Sequence, residues 1–393
     1  MENAVGTGGS RMMRIAALPG GHGACAYYRV HAPLAALSRA GLAEIWNPVL
    51  EEMPNGRSRC VVTAKQLEGC DVAVFQRQPE DPIGRLMTLL HDQGTLVVFD
   101  IDDDVYTVPA DSSAYGAYGR DWRKMGAYID HNVEVKTGGQ TPRVQKVNGV
   151  MDNAKKQAAR GRANFAGILQ NLRQADLVTV STGRLRDVYS SHNDRVTVLR
   201  NQLEPRDWEL ALANPIERFD NNVWIGWAGS RTHWGDLSLI AKPVIQVLQR
   251  NPHARLVIVG FPEAQKLFRS VADQLIMYNW MPITEYRRVV AAFDIVLAPS
   301  VKLDFNDAKS DIRVLEAAAC SRPVVASETT YGNTIRESGC GFVAKTTQKW
   351  IKYLNRLVND APLREEMGEA GNKYVLNSRT YDLNVWQWME AYS

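Results

Sequence analysis

Short β-branched runs alternate with helical stretches along this chain, and the alternation starts over once, near residue 223. In the first half MRIAALP (13–19), DVAVFQR (71–77), TLVVFDID (95–102), ADLVTVST (175–182) and RVTVLRN (195–201) have the length and composition of buried strands. In the second half VWIGWAG (223–229), RLVIVGF (255–261), FDIVLAPS (293–300) and RPVVASE (322–328) repeat the pattern. Helices are predicted between them, over about 25–40, 237–250 and 310–320. Such strands belong in parallel sheets covered by crossover helices. The expected fold class is α/β, with two tandem Rossmann-like domains facing a cleft. Ligands of such sheets lie beyond the C-terminal strand ends, which makes the cleft the expected site.

The length of 393 residues fits two domains better than one core. Pro205 and the polar stretch EPRDWELALANPIE place the hinge near 202–220. The expected division is a first Rossmann-like domain at 1–205 and a second at 206–378. The aromatic, amphipathic stretch YDLNVWQWMEAY (381–392) is expected to be a helix that packs, within 379–393, back on the first domain.

Apolar residues make up 45% and charged residues 23%, which excludes a largely disordered chain. The five cysteines (Cys25, Cys60, Cys70, Cys320, Cys340) are odd in number and not spaced as a metal knuckle. Free thiols in a reducing compartment are expected. The polar, Gly-rich start is expected to fray. The apolar run Ile15–Leu18 stops at Pro19-Gly20-Gly21, too short for a signal peptide. No stretch approaches the ~20 apolar residues of a membrane span. A cytoplasmic protein is expected.

The stretch 106–172 breaks the rhythm and reads as an insertion, with a flexible tip at VKTGGQTP (135–142). Residues 119–173 hold 11 Lys/Arg against four acids, in a chain whose formal net charge is only +3. Arg120, Arg123, Lys124, Lys155 and Lys156 belong to this segment. It is either a cationic binding surface or a solvated helical face.

Four stretches could carry chemistry. In FNDAKSDIRVLEAAACSRPVVAS (305–327), Asn306 or Asp307 can cap a helix whose N-terminus faces the cleft. Lys309, Arg313 and Glu316 then share one helix face: cations for phosphates, a carboxylate for ribose hydroxyls. The same spacing also suits a surface helix with an Arg–Glu pair. In IGWAGSRTHWGDL (225–237), a strand ends at Gly226 and Gly229, and Ser230-Arg231 opens the next loop. A planar guanidinium pairs well with two phosphate oxygens. His233 is either a sugar contact or a structural histidine. In PGGHGACAYYRVHAPLAAL (19–37), Gly20, Gly21 and Gly23 let a ligand approach the backbone, although the spacing is not that of a dinucleotide fingerprint. In FDIDDDVYTVP (99–109), Asp100, Asp102, Asp103 and Asp104 close a strand. They are a general base or acceptor-orienting group, a metal site, or a cap with salt bridges. Asp102 and Asp103 are the candidates.

The segment KSDIRVLEAAA (309–319), with PVVAS (323–327) after a short turn, resembles the donor-site segment of group 1 (family-4-like) glycosyltransferases of the GT-B fold. The subset it most resembles is common in bacteriophage genomes and bacterial surface-polysaccharide clusters. The resemblance implies that Glu316 binds the nucleotide ribose and that Arg231 stabilises the β-phosphate as it leaves. It extends donor contacts to Gly20, Gly21, Gly229, Ser230, His233, Lys309, Ser310, Asp311 and Arg313. The family's usual second acid falls on Ala308, beside Asp307. Many relatives have a lysine where Asp236 stands, and Lys309 would replace that charge. The YYRVHAP segment (27–33) resembles the family's YYR-x-x-x-P, which would turn Arg29 toward the acceptor side of the cleft.

The resemblance further implies retention of configuration, with the donor phosphate taking the acceptor proton. Positioning and charge stabilisation would then fall to Arg231 and Lys309, with Asp102 or Asp103 as base if the enzyme inverts. No metal and no obligatory cofactor is expected; a nucleotide-diphosphate sugar, first of all a UDP-sugar, is the co-substrate. The +7 segment attracts polyanions. With the phage resemblance, this gives hydroxymethylated pyrimidine in DNA as the first acceptor, acting in the host cytoplasm. The alternatives are a polysaccharide, a lipid-linked sugar, a protein, or a non-catalytic nucleotide-sugar- or DNA-binding chain.

Overall fold

The computed structural model describes residues 11–21, 23–47, 50–52, 58–60, 62–79, 81–110, 112, 114–121, 123–125 and 147–393. The expected frayed start (1–10), His22 of the glycine turn and the tip at 135–142 lie outside the described residues.

Among the described residues eight strands precede the hinge: β1 (Met13–Leu18), β2 (Ala43–Trp46), β3 (Leu50–Glu52), β4 (Ser58–Cys60), β5 (Val72–Gln76), β6 (Leu96–Ile101), β7 (Leu177–Val180) and β8 (Val196–Val198). β3 and β4 pair as a small antiparallel hairpin. The rest form a parallel sheet ordered β2-β1-β5-β6-β7-β8. Six more follow: β9 (Val223–Ala228), β10 (Ala254–Val259), β11 (Leu275–Tyr278), β12 (Ile295–Ala298), β13 (Val324–Ala326) and β14 (Gly341–Val343). They form a second parallel sheet, β11-β10-β9-β12-β13-β14. β2, β11 and β14 are short, partly exposed edge or near-edge strands that the β-branched runs did not announce.

Alternation along each strand feeds two cores per sheet. In the first sheet Ala16, Leu18, Ala73, Phe75, Val97 and Phe99 point to one side. Ile15, Ala17, Val72, Val74 and Val98 point to the other. The second sheet divides in the same way, with Trp224 and Val257 against Ile225 and Leu256. Both faces are buried because helices cover both, as parallel sheets require.

The helices used below are α1 (Ala32–Arg39), α2 (Asp81–Asp92), α3 (Val147–Gln174), α4 (Pro205–Ala213), α5 (Trp234–Arg250), α6 (Ile283–Ala291), α7 (Ile312–Ala319), α8 (Ala361–Ser378) and α9 (Trp386–Tyr392). The predicted 25–40 helix is helical but opens into a π-helical turn at Tyr27–His31 before α1. Most of the described residues of the 106–172 stretch belong to the helix α3. The stretch assigned to the hinge contains α4, with Pro205 in its first turn and Trp208 in the core of the second domain.

Three segments cross between the halves. Tyr28 packs into the second-domain core, and Ala308 of the 299–311 loop into a first-domain core. After α8 the chain returns, and Tyr381, Val385, Trp388 and Tyr392 join a first-domain core. The C-terminal ends of the two sheets therefore face each other. Cys25, Cys70, Cys320 and Cys340 are free. Among the described residues no helix is long and apolar enough to cross a membrane.

Candidate active site

Strand order in the second sheet reverses between β9 and β12, and such switch points open a crevice at the strand ends. Beyond β9 the chain turns at Gly229, where a Cβ would lie 2.7 Å from the Trp227 indole. The short turn Arg231–His233 then leads into α5. Beyond β12, residues 299–311 lead into α7. Arg231 comes from the first of these connections, Lys309 and Arg313 from the second. Arg231 Nη2 and Arg313 Nη1 are buried without a hydrogen-bond partner. Among the described residues none of the three cations forms an ion pair, and Lys309 Nζ sits 4.6 Å from the centre of the Phe305 ring. Asp311 occupies the N-cap position of α7 but makes no side-chain cap there. Buried, unmatched N–H groups beside an uncapped helix start favour a bound anion.

His233 lies in the same wall. Its Nδ1 is 2.8 Å from Asp236 Oδ2. The other carboxylate oxygen, Oδ1, accepts from the Val301 N–H at 2.8 Å and from Asn306 Nδ2 at 3.3 Å. Burial pushes the imidazole down to about 4, helped by Lys309 and Arg313 and opposed by Asp236. Burial of Asp236 acts the other way on its carboxyl, but the His233 and Val301 hydrogen bonds and Lys309 hold it below the usual range.

The facing wall comes from the first domain. Asp102 and Asp103 follow β6 and are both held by Arg77, at 3.2 Å and 2.5 Å. Arg77 adopts φ +48°, a left-handed conformation that is uncommon for a side-chain-bearing residue. Burial pushes Asp103 above the usual carboxylate range; Arg77 opposes this, Asp102 adds to it, and Lys309 and His233 oppose it from across the cleft. Cys25 stands beside them, its thiol pushed up by the Asp102 charge.

Glu316 joins the two walls. Its Oε1 accepts from the Tyr28 hydroxyl of the first domain and its Oε2 from the Tyr286 hydroxyl of α6, each at 2.7 Å. Burial pushes the carboxyl up, while those two bonds, Arg313 and Arg287 pull it down. Tyr27 bonds Asp207, which also pairs with Arg287 at 2.8 Å.

Residues 223–360 match the family described as glycosyl transferases group 1. The match covers much of the second domain and none of the first. Among solved structures, sucrose-phosphate synthase from Thermosynechococcus elongatus superposes with a TM-score of 0.56 at 15% identity, covering 97% of this chain and 98% of that one. Anabaena HepE in complex with UDP-glucose gives 0.56 at 10% identity, over 97% and 99%. TarM of S. aureus, in complex with fondaparinux, α-GlcNAc-glycerol and UDP, gives 0.54 at 13% identity over 84% of this chain. The chain spans only 58% of the TarM length. No curated protein matches significantly in sequence. The architecture is thus that of GT-B glycosyltransferases.

Within that fold, Ser230, Arg231, His233, Lys309, Arg313 and Glu316 gather around the switch point. Four expectations need correction. Arg29 does not face the cleft: it is fully buried, pairs with Asp100 at 2.6 Å, and donates to Leu199 O and to Asn201 Oδ1. Asp311 has no free oxygen, because Arg379 holds both at 2.6 and 3.0 Å and Thr334 adds a third bond. The donor helix begins at Ile312, so Asn306 and Asp307 do not cap it, and Lys309 lies in the loop before it. The aspartates are no cluster: Asp100 serves Arg29, and Asp104 accepts from Tyr106 N and Thr107 Oγ1 in the following turn. Among the described residues no group of three His, Cys, Asp or Glu could hold a metal.

Gly20 is small for a structural reason, since a Cβ would lie 2.5 Å from the Gln76 carbonyl oxygen, whereas at Gly21 it would meet nothing. Ser310 Oγ accepts from Asn201 Nδ2 at 2.9 Å, tying the donor loop to the first domain. Arg120, Arg123, Lys124, Lys155 and Lys156 are exposed on α3 and the chain before it. Arg120 stacks over Phe165 at 4.1 Å.

Sequence reasoning missed Arg77, Tyr28, Tyr286 and Arg379. Arg379 lies 68 positions from its partner Asp311, and no local spacing reveals such a pair. The His233–Asp236 contact had a visible signal, an i, i+3 spacing at a helix start.

Proposed function

We propose that this chain is a nucleotide-sugar-dependent glycosyltransferase, a hexosyltransferase that moves a sugar from a nucleoside-diphosphate donor to a hydroxyl acceptor. The observation that carries the reading is the trio Arg231, Lys309 and Arg313, cationic, converging and without ion pairs among the described residues. As the glycosidic C–O bond breaks, negative charge grows on the diphosphate. Preorganised cations stabilise that charge in the transition state. The HepE and TarM complexes contain UDP, which supports a UDP-sugar here. Glu316 would take the ribose hydroxyls once a tyrosine hydroxyl gives way. The course is proposed as retaining: the acceptor proton passes to the departing phosphate oxygen, and no protein nucleophile is used.

The acceptor is proposed to be hydroxymethylated pyrimidine in DNA, as part of phage DNA modification. The exposed cations of α3 and the preceding chain, Arg120, Lys124, Lys156, Arg160, Arg162 and Arg173 among them, support this. Such a surface gains affinity from counterion release on a polyanion.

The test is release of free nucleoside diphosphate from a panel of nucleotide sugars, with hydroxymethylated DNA, plain DNA or no DNA, for the wild type and Arg313→Ala. Release that needs the modified DNA and is lost in the variant is expected. Release indifferent to DNA would keep the transferase and move the acceptor to a glycan, lipid-linked sugar or protein. Binding without any release would leave a nucleotide-sugar-binding protein.

A further inference from the structure

His233 is a donor-wall side chain that could donate or accept, and a protein partner fixes which of its nitrogens does which. Asp236 is buried and ionised, and a carboxylate only accepts. The contact at 2.8 Å therefore requires the proton on Nδ1. Asp236 cannot swing away, because Val301 N and Asn306 Nδ2 hold its second oxygen. Burial first, then Lys309 and Arg313, keep a second proton off the ring against the pull of Asp236. What remains is Nε2 as a bare lone pair, with no partner among the described residues, on a side chain that is 18% exposed. Such a nitrogen repels a phosphate oxygen and accepts only from a donor.

Its neighbours set the place. Lys309 and Arg313, where the diphosphate is proposed to sit, act on the ring, and the ring in turn acts on Asp103 of the first domain, so His233 lies within reach of both walls. Between a diphosphate and the opposite domain, a nucleotide sugar presents its sugar hydroxyls.

We propose that His233 accepts a hydrogen bond from a hydroxyl of the donor's sugar and so selects the sugar, with Asp236 as the positioning residue that fixes the accepting nitrogen; this rests on the glycosyltransferase reading. A site built around a hydroxyl rejects analogues that lack it, because its own polar atom is then left unpaired. No bond is made or broken at the imidazole, and the proposal requires no proton transfer to it.

The experiment is a cycle on the full chain: UDP-glucose and each of its monodeoxy derivatives, with wild type, His233→Ala and Asp236→Asn. Donor binding is read by calorimetry, and kcat/KM by nucleotide release. For one hydroxyl, the deoxy donor should lose about 10- to 100-fold with wild type and almost nothing further with His233→Ala. Asp236→Asn should reduce discrimination at the same hydroxyl. Nitrogen NMR of the wild-type imidazole should show Nδ1 protonated, with the Nε2 signal shifting when donor is added. If His233→Ala binds UDP-glucose but keeps the wild-type discrimination at every hydroxyl, the inference is overturned while the transferase reading stands. If the wild type binds no nucleotide sugar at all, both fall.

Discussion

On the second-domain wall, Arg231 and Arg313 keep buried N–H groups without partners; in the first domain, Arg29 in the core is engaged by Asp100, and Arg77 on the wall by Asp102 and Asp103. The same residue type thus stands in two electrostatic states a few strands apart. A buried charge without a counter-charge is costly unless something else supplies the match. The second-domain wall is therefore incomplete by itself, and the proposed diphosphate would complete it. The arginines of the first domain are already matched: Arg29 holds the core and Arg77 orients Asp102 and Asp103.

Four substitutions or titrations would break or sharpen this contrast. Arg29→Met should be the most severe. It strands Asp100 in the core, and a loss of about 3–5 kcal/mol is expected in chemical denaturation, with little purified folded protein. A fold that tolerates the change would mean that Asp100 takes up a proton instead. Arg231→Ala should leave the denaturation midpoint nearly unchanged. It should lower kcat/KM for nucleotide release by on the order of 10²–10³-fold; a stability loss in place of the kinetic one would reverse the assignment of the two walls.

The third concerns pH. His233 stays neutral down to about 4 when folded, whereas the unfolded imidazole takes its proton near 6.5. Below 6.5 the unfolded state binds more protons, so stability should fall as pH falls from 6.5 toward 4. The groups facing the ring are Asp236, Lys309, Arg313 and Asp103, and a shift from 6.5 to about 4 corresponds to a loss of about 3 kcal/mol. His233→Asn should flatten that segment of the pH profile relative to wild type. The smallest effect on the fold should come from Lys156→Ala with Arg160→Ala, within about 0.5 kcal/mol of wild type. If DNA rests on α3, the slope of log affinity against log salt should shrink by about one per removed phosphate contact.

Much of the frame was legible because parallel strands buried on both faces must be apolar along their whole length. The helix α3 was not. Its buried stripe runs through Ala154, Ala158, Gly161, Ile168 and Leu172, so half of it carries almost no apolar signal. Small residues stand there because other backbone comes close: a Cβ at Gly161 would lie 2.0 Å from Gly119 O, and one at Gly167 1.9 Å from Pro79 O. In the site, residue type identified cations and carboxylates but not their occupancy. KSDIRVLE shows a lysine, an aspartate, an arginine and a glutamate at workable spacings. Only the distant Arg379 reveals that Asp311 is already in use, and only Tyr28 and Tyr286 reveal how Glu316 is held.

The return of the chain after α8 has a consequence for synthesis. Tyr381, Val385, Trp388 and Tyr392 fill the same core as Ile15, Ala17, Val30 and Leu34. A ribosome delivers the first strand hundreds of residues before the helix that seals it. The first-made domain is thus finished last. It must wait with one apolar face of its sheet covered only in part, by α1, while the second domain, contiguous in sequence from β9 to α8, is free to close ahead of it.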